Sequence, residues 1–274
     1  MKVPLRLMQS FRLKASAVRC PKSRRKVIHS RINGYDLLVL GNEDVGRSIY
    51  FGGSYESAES KYLVGRIRPD SVCVDIGANI GYFTLLMAKG ASEGSVHAFE
   101  PIPLNTSLLH ASIELNGFTN IWVNQSAVGD RTGEISFVQS SDSAYSSLFD
   151  TGRKSSDRTI RVPIITLDEY VSRNGITRVD ILKADVEGAE GLVVAGASQL
   201  LRDKTRRPRL VLMELFDQNL EVYGSSVMRI VEEMKSLEYV PHVLSDEEKL
   251  MPFSEESKQH YYNVWFSPAG SPAT

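Results

Sequence analysis

The chain predicts an α/β domain built on a doubly wound, mostly parallel sheet, and three observations carry that expectation. Val72 to Met87 (VCVDIGANIGYFTLLM) reads as a short buried strand, a glycine turn and an apolar-periodic helix. Three later apolar runs, Ser95 to Glu100, the run from Val179, and Arg209 to Glu214, read as buried strands with ionisable groups at their C-terminal tips. Stretches of helical spacing separate these runs, as a parallel sheet requires. In such a sheet ligands collect beyond the strand tips.

The 274 residues are 42% apolar and 24% charged, enough for one main domain with extensions. No run approaches the roughly 18 to 20 apolar residues that cross a bilayer, and the N-terminus lacks a secretory apolar segment. A soluble, cytoplasmic chain is expected. Cys20 and Cys73 are too few for a disulfide framework or a zinc site. Residues 1–35 hold ten basic side chains and no acidic one, so a net charge of −1 hides −11 on the remainder. Residues 1–30 are expected to be a basic, flexible arm with weak contact to anionic lipid or nucleic acid.

The elements follow in order. Tyr35 to Leu40 and Ser48 to Phe51 are short β-prone runs expected to pair as a hairpin, followed by a helix within Tyr55 to Ile67 that stops before Pro69. These form an extension over residues 31–69, ahead of a main domain over 70–267 and a loose tail over 268–274. In the central motif Gly77, Asn79 and Gly81 make the turn, where missing Cβ atoms would let backbone N–H groups approach a ligand. Asp75 at the first strand's end would repel a pyrophosphate and suits a ligand with cationic groups, such as the ammonium and sulfonium of S-adenosylmethionine. The second strand ends at Glu100, where one carboxylate can accept from two ribose hydroxyls.

Pro103 to Asn116 is a helix stopped by Gly117, and Ile121 to Val128 is expected to be the third strand, with Ser126 near an adenine edge. Gly133 to Val138 and Thr159 to Ile165 are strand-like runs around a polar segment, residues 139–158, expected to face the substrate. Leu167 to Asn174 is a short helix. The strand from Val179 carries Lys183, Asp185 and Glu187 before Gly188 opens a helix to about Leu201. After the strand ending at Glu214 come a helix over Val227 to Leu237 and two runs, Tyr239 to Leu244 and Tyr261 to Phe266, expected to close the sheet as an antiparallel pair. His242 and His260 are expected to be structural.

Four segments, VDIGANIGYFT from Val74, AFEP from Ala98, AVGD from Ala127 and DILKADVEGAE from Asp180, resemble in order and spacing the FkbM-family methyltransferases. The resemblance covers roughly residues 48–216. It implies a class I methyltransferase (Rossmann-like) fold, S-adenosylmethionine as donor, and O-methylation of a hydroxyl on a sugar, glycolipid or polyketide-type acceptor. It further implies that Asp75, Gly77, Asn79 and Gly81 form the methionine side of the donor pocket, that Glu100 takes the ribose, and that Ser126 lies by adenine. Asp185, Glu187 and Glu214 would face the acceptor, with Asp185 first choice as base, Glu214 second and Lys183 orienting. Where the family commonly has Ile or Val after Leu-Lys, this chain has Ala184.

Without a convincing histidine at the strand tips no metal is assigned, although Asp185 and Glu187 with waters could hold magnesium weakly. An NAD-dependent oxidoreductase is disfavoured, because the turn lacks the Gly-x-Gly-x-x-Gly spacing and no Tyr-x-x-x-Lys pair serves hydride chemistry. A noncatalytic module that keeps the donor fold stays open.

Overall fold

The computed structural model describes residues 26–140, 146, 156–245, 248–257 and 262–270. Cys20, His260, Tyr261, most of the polar segment and residues 1–25 of the basic arm lie outside the described residues, and with them the arm's lipid or nucleic-acid contact.

An N-terminal antiparallel hairpin, β1 (Val27–Ile32) and β2 (Tyr35–Leu40), is closed by Asn33 and Gly34, both at positive φ. This corrects the expected hairpin. The partner of Tyr35–Leu40 is Val27–Ile32, which straddles the end of the stretch expected to be arm, while residues 48–51 belong to helix α1 (Asp44–Gly52). Ile49 on that helix is buried and Tyr50 exposed, so a run that looked β-prone is one turn of an amphipathic helix. Helix α2 (Ser57–Val64) follows. The extension is no separate domain. Leu37, Val39, Ile49 and Leu63 share one buried cluster with Cys73, Leu85 and Trp265 of the main body.

The main body alternates β3 (Val72–Ile76), α3 (Tyr82–Gly90), β4 (Ser95–Phe99), α4 (Pro103–Asn116) and β5 (Ile121–Asn124). A side layer of β6 (Ala127–Val128), β7 (Gly133–Ser140) and β8 (Ser156–Ile165) precedes α5 (Leu167–Arg173), β9 (Ile181–Ala184), α6 (Glu190–Gly196), α7 (Ser198–Arg202) and β10 (Leu210–Glu214). The chain ends with α8 (Asp217–Val222), α9 (Val227–Ser236), β11 (Tyr239–Leu244), β12 (Leu250–Pro252) and β13 (Asn263–Pro268). The large sheet has the order β12-β11-β13-β10-β9-β3-β4-β5. Strands β5, β4, β3, β9 and β10 are parallel, and β13 runs antiparallel between β10 and β11. The expected closing pair is therefore present, with β13 slotted inside β11.

Alternation along the strands sorts side chains to two cores. Val74 and Ile76 join the cluster under α5 to α9, while Cys73 joins the cluster beneath the hairpin. Below the sheet, Asp180 accepts from Val72 N at 2.9 Å, Arg68 at 3.0 Å and Arg178 at 3.0 Å, fixing β9 against β3. That end is clamped. The opposite end, where strand order reverses about β3, is left for ligands.

Three further expectations change. The run Ile121–Val128 is two strands in two sheets, because the backbone turns at residues 125–126 and β6 pairs with β8 instead. The helix expected from Gly188 to Leu201 is two short helices, α6 and α7, meeting at Ala197. Strand β13 extends to Pro268, and β12, which has only three residues, carried no readable period.

Candidate active site

An open cleft of about 580 Å³, the solvent at its mouth included, lies beyond the tips of β3, β4 and β9. Its walls are apolar, from Ile76, Phe99, Ile102, Val128, Phe137 and Val186, and Asn79, Glu100, Ser126, Ser146, Asp185 and Glu187 supply the polar lining. Apolar walls with a few converging polar groups suit a nucleoside.

The glycine turn does not present its N–H groups to the cleft. Gly77 N and Ala78 N both donate to Phe99 O at 3.0 Å, Asn79 N to Glu100 Oε2 at 2.9 Å, Ile80 N to Asn79 Oδ1 at 2.7 Å and Gly81 N to Ala78 O at 2.9 Å. The expected row of donors is thus consumed inside the protein. The glycines serve close approach instead. A Cβ on Gly77, at φ 76°, would lie 1.8 Å from the Asp185 carbonyl oxygen, and one on Gly81, at φ 95°, would lie 2.3 Å from Leu109 Cδ1. Gly77 therefore lets the tips of β3 and β9 meet, which brings Asp185 to the cleft.

Glu100 is buried and largely satisfied. Besides Asn79 N it accepts from Ile102 N at 2.8 Å and Asn105 Nδ2 at 3.3 Å. Of about four acceptor positions on a carboxylate, three are taken. Burial pushes its pKa up to about 7 against those donors. Asp75 is fully buried beneath the turn, accepting from Thr84 Oγ1 at 2.6 Å and 3.7 Å from Lys183 Nζ, with Oδ1 free of hydrogen bonds. Burial raises its pKa. It forms no part of the cleft lining, nor does Gly81.

The acceptor end is differently made. Lys183 Nζ donates to Asp185 Oδ2 at 3.3 Å and lies 5.1 Å over the Phe83 ring. Burial disfavours its charge, but Asp185, Asp75, Glu56 and Glu214 together outweigh that and raise its pKa. Glu214 is pushed well above the carboxylate range, first by the Asp185 carboxylate beside it and then by burial. Asp185, Glu187 and Glu214 each bring a ligand atom within 4.8 Å of the others, a closer approach than the sequence suggested. Glu187, at φ 55°, accepts from Asn219 Nδ2 at 2.5 Å, and the next residue, Gly188, leaves no room for a Cβ, which would lie 2.5 Å from Asn219 O. Buried Glu190 accepts from Val186 N at 2.9 Å, holding the turn from behind.

Residue by residue, Gly77, Asn79, Glu100, Ser126, Asp185 and Glu187 line one cleft, while Asp75, Gly81, Lys183 and Glu214 stand behind it. The sequence reading missed Ser146, Tyr55 and Glu56. Ser146 is one serine in a polar run, and Tyr55 and Glu56 stand at the start of the stretch expected to be helical, where no local signal sets them apart.

The Methyltransferase FkbM domain model matches residues 75–241, more than half of the chain. The chain belongs to the FkbM methyltransferase family. It is 28% identical over 153 residues to Methyltransferase 1 of Beauveria bassiana, covering 49% of this chain and 61% of that protein. It is 29% identical over 158 residues to the 31-O-demethyl-FK506 methyltransferase FkbM of Streptomyces tacrolimicus, covering 47% and 60%. The chain thus spans about three fifths of the length of these two relatives. To 2-O-methyltransferase NoeI of Sinorhizobium fredii it is 25% identical over 187 residues, covering 63% and 74%. Among solved structures, the FkbM methyltransferase of Methylobacillus flagellatus aligns at TM-score 0.48 and 13% identity over 74% of this chain and 44% of that one. The methyltransferase SMU.1697c of Streptococcus mutans, in complex with S-adenosylhomocysteine, aligns at 0.47 and 9% over 77% and 96%.

The fold of this FkbM-family chain is a doubly wound, mostly parallel α/β sheet, and S-adenosylmethionine is the cofactor that membership of the family implies. The cleft fits that cofactor. Its apolar walls suit an adenine, and spent turn N–H groups leave nothing to cradle the pyrophosphate that a dinucleotide would bring. No helix among the described residues is long and apolar enough to cross a membrane.

Proposed function

We propose that this protein is an O-methyltransferase acting on a hydroxylated acceptor, a sugar, glycolipid or polyketide-type molecule, with Asp185 as the base. The observation that carries this reading is Asp185 in the lining of the cleft with the Glu214 carboxylate close behind it. S-adenosylmethionine supplies an electrophilic methyl group on a sulfonium when bound. The protein's own task is to align the acceptor, exclude water and take the hydroxyl proton.

Asp185 lines the cleft and Glu214 does not, so the proton passes to an Asp185 carboxylate oxygen. The Asp185 carboxylate and burial push Glu214 well above the ordinary carboxylate range, so Glu214 keeps a proton behind Asp185. Lys183, bonded to Asp185, fixes its rotamer. Glu100 and Ser126 flank the ribose and adenine positions, with one Glu100 acceptor site left for a hydroxyl. Two named relatives, FkbM and NoeI, are O-methyltransferases by name, which supports oxygen as the acceptor atom.

The test is to incubate the purified protein with cell extract and isotopically labelled S-adenosylmethionine, then identify the labelled product by mass spectrometry and NMR. Label on an ether or ester oxygen is expected. Label on nitrogen or carbon overturns the oxygen assignment, and unchanged S-adenosylmethionine overturns catalysis.

A further inference from the structure

The sheet order β9-β3-β4-β5 lays the cleft out along one line. Asp185 stands past the tip of β9, Gly77 past β3, Glu100 past β4 and Ser126 past β5, and all four are in the lining. S-adenosylmethionine has an order of its own. Its sulfonium hangs from one end of the ribose and its base from the other, so with the ribose at Glu100 and the methyl group turned to Asp185, the base lies on the β5 side.

On that side the wall comes from the side layer. Ala127 and Val128 of β6 pair with Ile164 and Ile165, while Phe137 of β7 pairs with Ile160, further out along β8. The β7-β8 ribbon thus runs on past the start of β6, where the chain leaves β5 at residues 125–126, and carries Phe137 to the cleft. Alternation along β7 turns Ser136 outward and Phe137 inward, where it is 7% exposed and shares one buried cluster with Ile102, Ala127, Val162, Ile164 and Ala189. Ile102, Val128 and Phe137 all line the cleft, so apolar surface faces the base position from the segment after β4, from β6 and from β7. Ser126 and Ser146 bring hydroxyls to the same lining, and a hydroxyl can donate or accept, as the edge of an adenine requires.

We propose that Phe137 is a specificity-determining residue of the donor site, its ring packed against the adenine of S-adenosylmethionine, and that the side layer presenting it is an adenine-binding wall. The proposal rests on the cleft being the donor site. It adds a residue that lies outside the four motif segments, and it gives the side layer to the donor's base in place of the acceptor. A planar purine offers an apolar face, and contact with an aromatic ring strengthens binding beyond plain burial.

Calorimetry of the full chain with S-adenosylhomocysteine, and NMR of the same complex, test this. Phe137→Ala should weaken binding about tenfold, and Phe137→Leu, which keeps apolar volume and covers the case of a poorly folding alanine variant, about threefold. Val162→Ala loosens the same cluster from a position outside the lining and should leave affinity within about twofold. In the native complex the adenine ring protons should show NOEs to a phenylalanine ring whose signals vanish in Phe137→Leu. Unchanged affinity in both Phe137 variants, a loss in Val162→Ala as large as in Phe137→Ala, or an adenine without such NOEs overturns the proposal and leaves the donor reading intact. A native chain that binds no S-adenosylhomocysteine overturns the two together.

Discussion

The two turns that meet at the cleft use carboxylates in opposite ways. At the tip of β4, Glu100 gathers two backbone N–H groups, one of them from the turn after β3, and an amide, so fixed dipoles face its carboxylate. At the tips of β9 and β10, Asp185, Glu187 and Glu214 crowd one another around Lys183, and their charge is answered incompletely. The first arrangement is a scaffold that holds a loop in one shape. The second stores electrostatic tension that an incoming cation, donor or proton relieves. The contrast shows why a motif's acids cannot be assigned one shared role.

The sharpest way to break this contrast is Asp185→Asn, which nearly preserves shape while removing basicity. Turnover with the identified acceptor should fall roughly 10²- to 10⁴-fold, with S-adenosylhomocysteine binding retained by calorimetry. Native turnover would make Asp185 another scaffold residue, like Glu100.

Lys183→Met tests the tension itself. Removing this buried cation leaves Asp75 and Asp185 without their ion-pair partner, and chemical denaturation should show a loss of about 3 to 5 kcal/mol. A loss below about 1 kcal/mol would mean that the carboxylates neutralise by protonation at little cost.

Gly77→Ala probes the point where the two turns touch. The added Cβ meets the Asp185 carbonyl, and the positive φ adds strain, so a destabilisation of roughly 2 to 4 kcal/mol is expected. Thermal melts of Gly77→Ala beside Gly133→Ala, where no atom lies within 4 Å of the added Cβ, separate collision from backbone strain.

The smallest effect concerns pH. Glu100 and Glu190 have folded pKa values pushed up to about 7 by burial, above the ordinary glutamate value. Between about pH 4.5 and about 7 the unfolded chain has released these protons while the folded chain keeps them. Their contribution to stability is therefore full below that window and lost as pH rises through it. The Tm should be higher near about pH 5.5 than near about pH 7.5, with a shallower slope in Glu190→Gln. An unchanged slope in that variant would show that the backbone donors hold Glu190 ionised.

The order of strands and helices was written in local periodicity. β3, β4, α4 and β10 fall where apolar alternation, Pro103 and Gly117 put them, because burial, a fixed φ at a helix start and a left-handed helix stop are properties of a few adjacent residues. Local pattern failed where the partner decides. Residues 48–51 have apolar content compatible with either state, and packing of Ile49 against the hairpin made them helical. The run from Ile121 divides because two different sheets offer edges to it.

The cleft divides along the same line. By itself the sequence determined which residues sit at strand tips, and hence that Gly77, Glu100, Asp185 and Glu187 would gather, since a parallel sheet sends every tip to one end. Only the tertiary structure decided what each group faces. It withdrew Asp75 and Gly81 from the lining, spent the turn's N–H groups on Phe99 and Glu100, and set Glu214 behind Asp185. Hydrogen-bond partners and neighbouring charges depend on distances of a few ångströms between segments remote in sequence, and no local period encodes those distances.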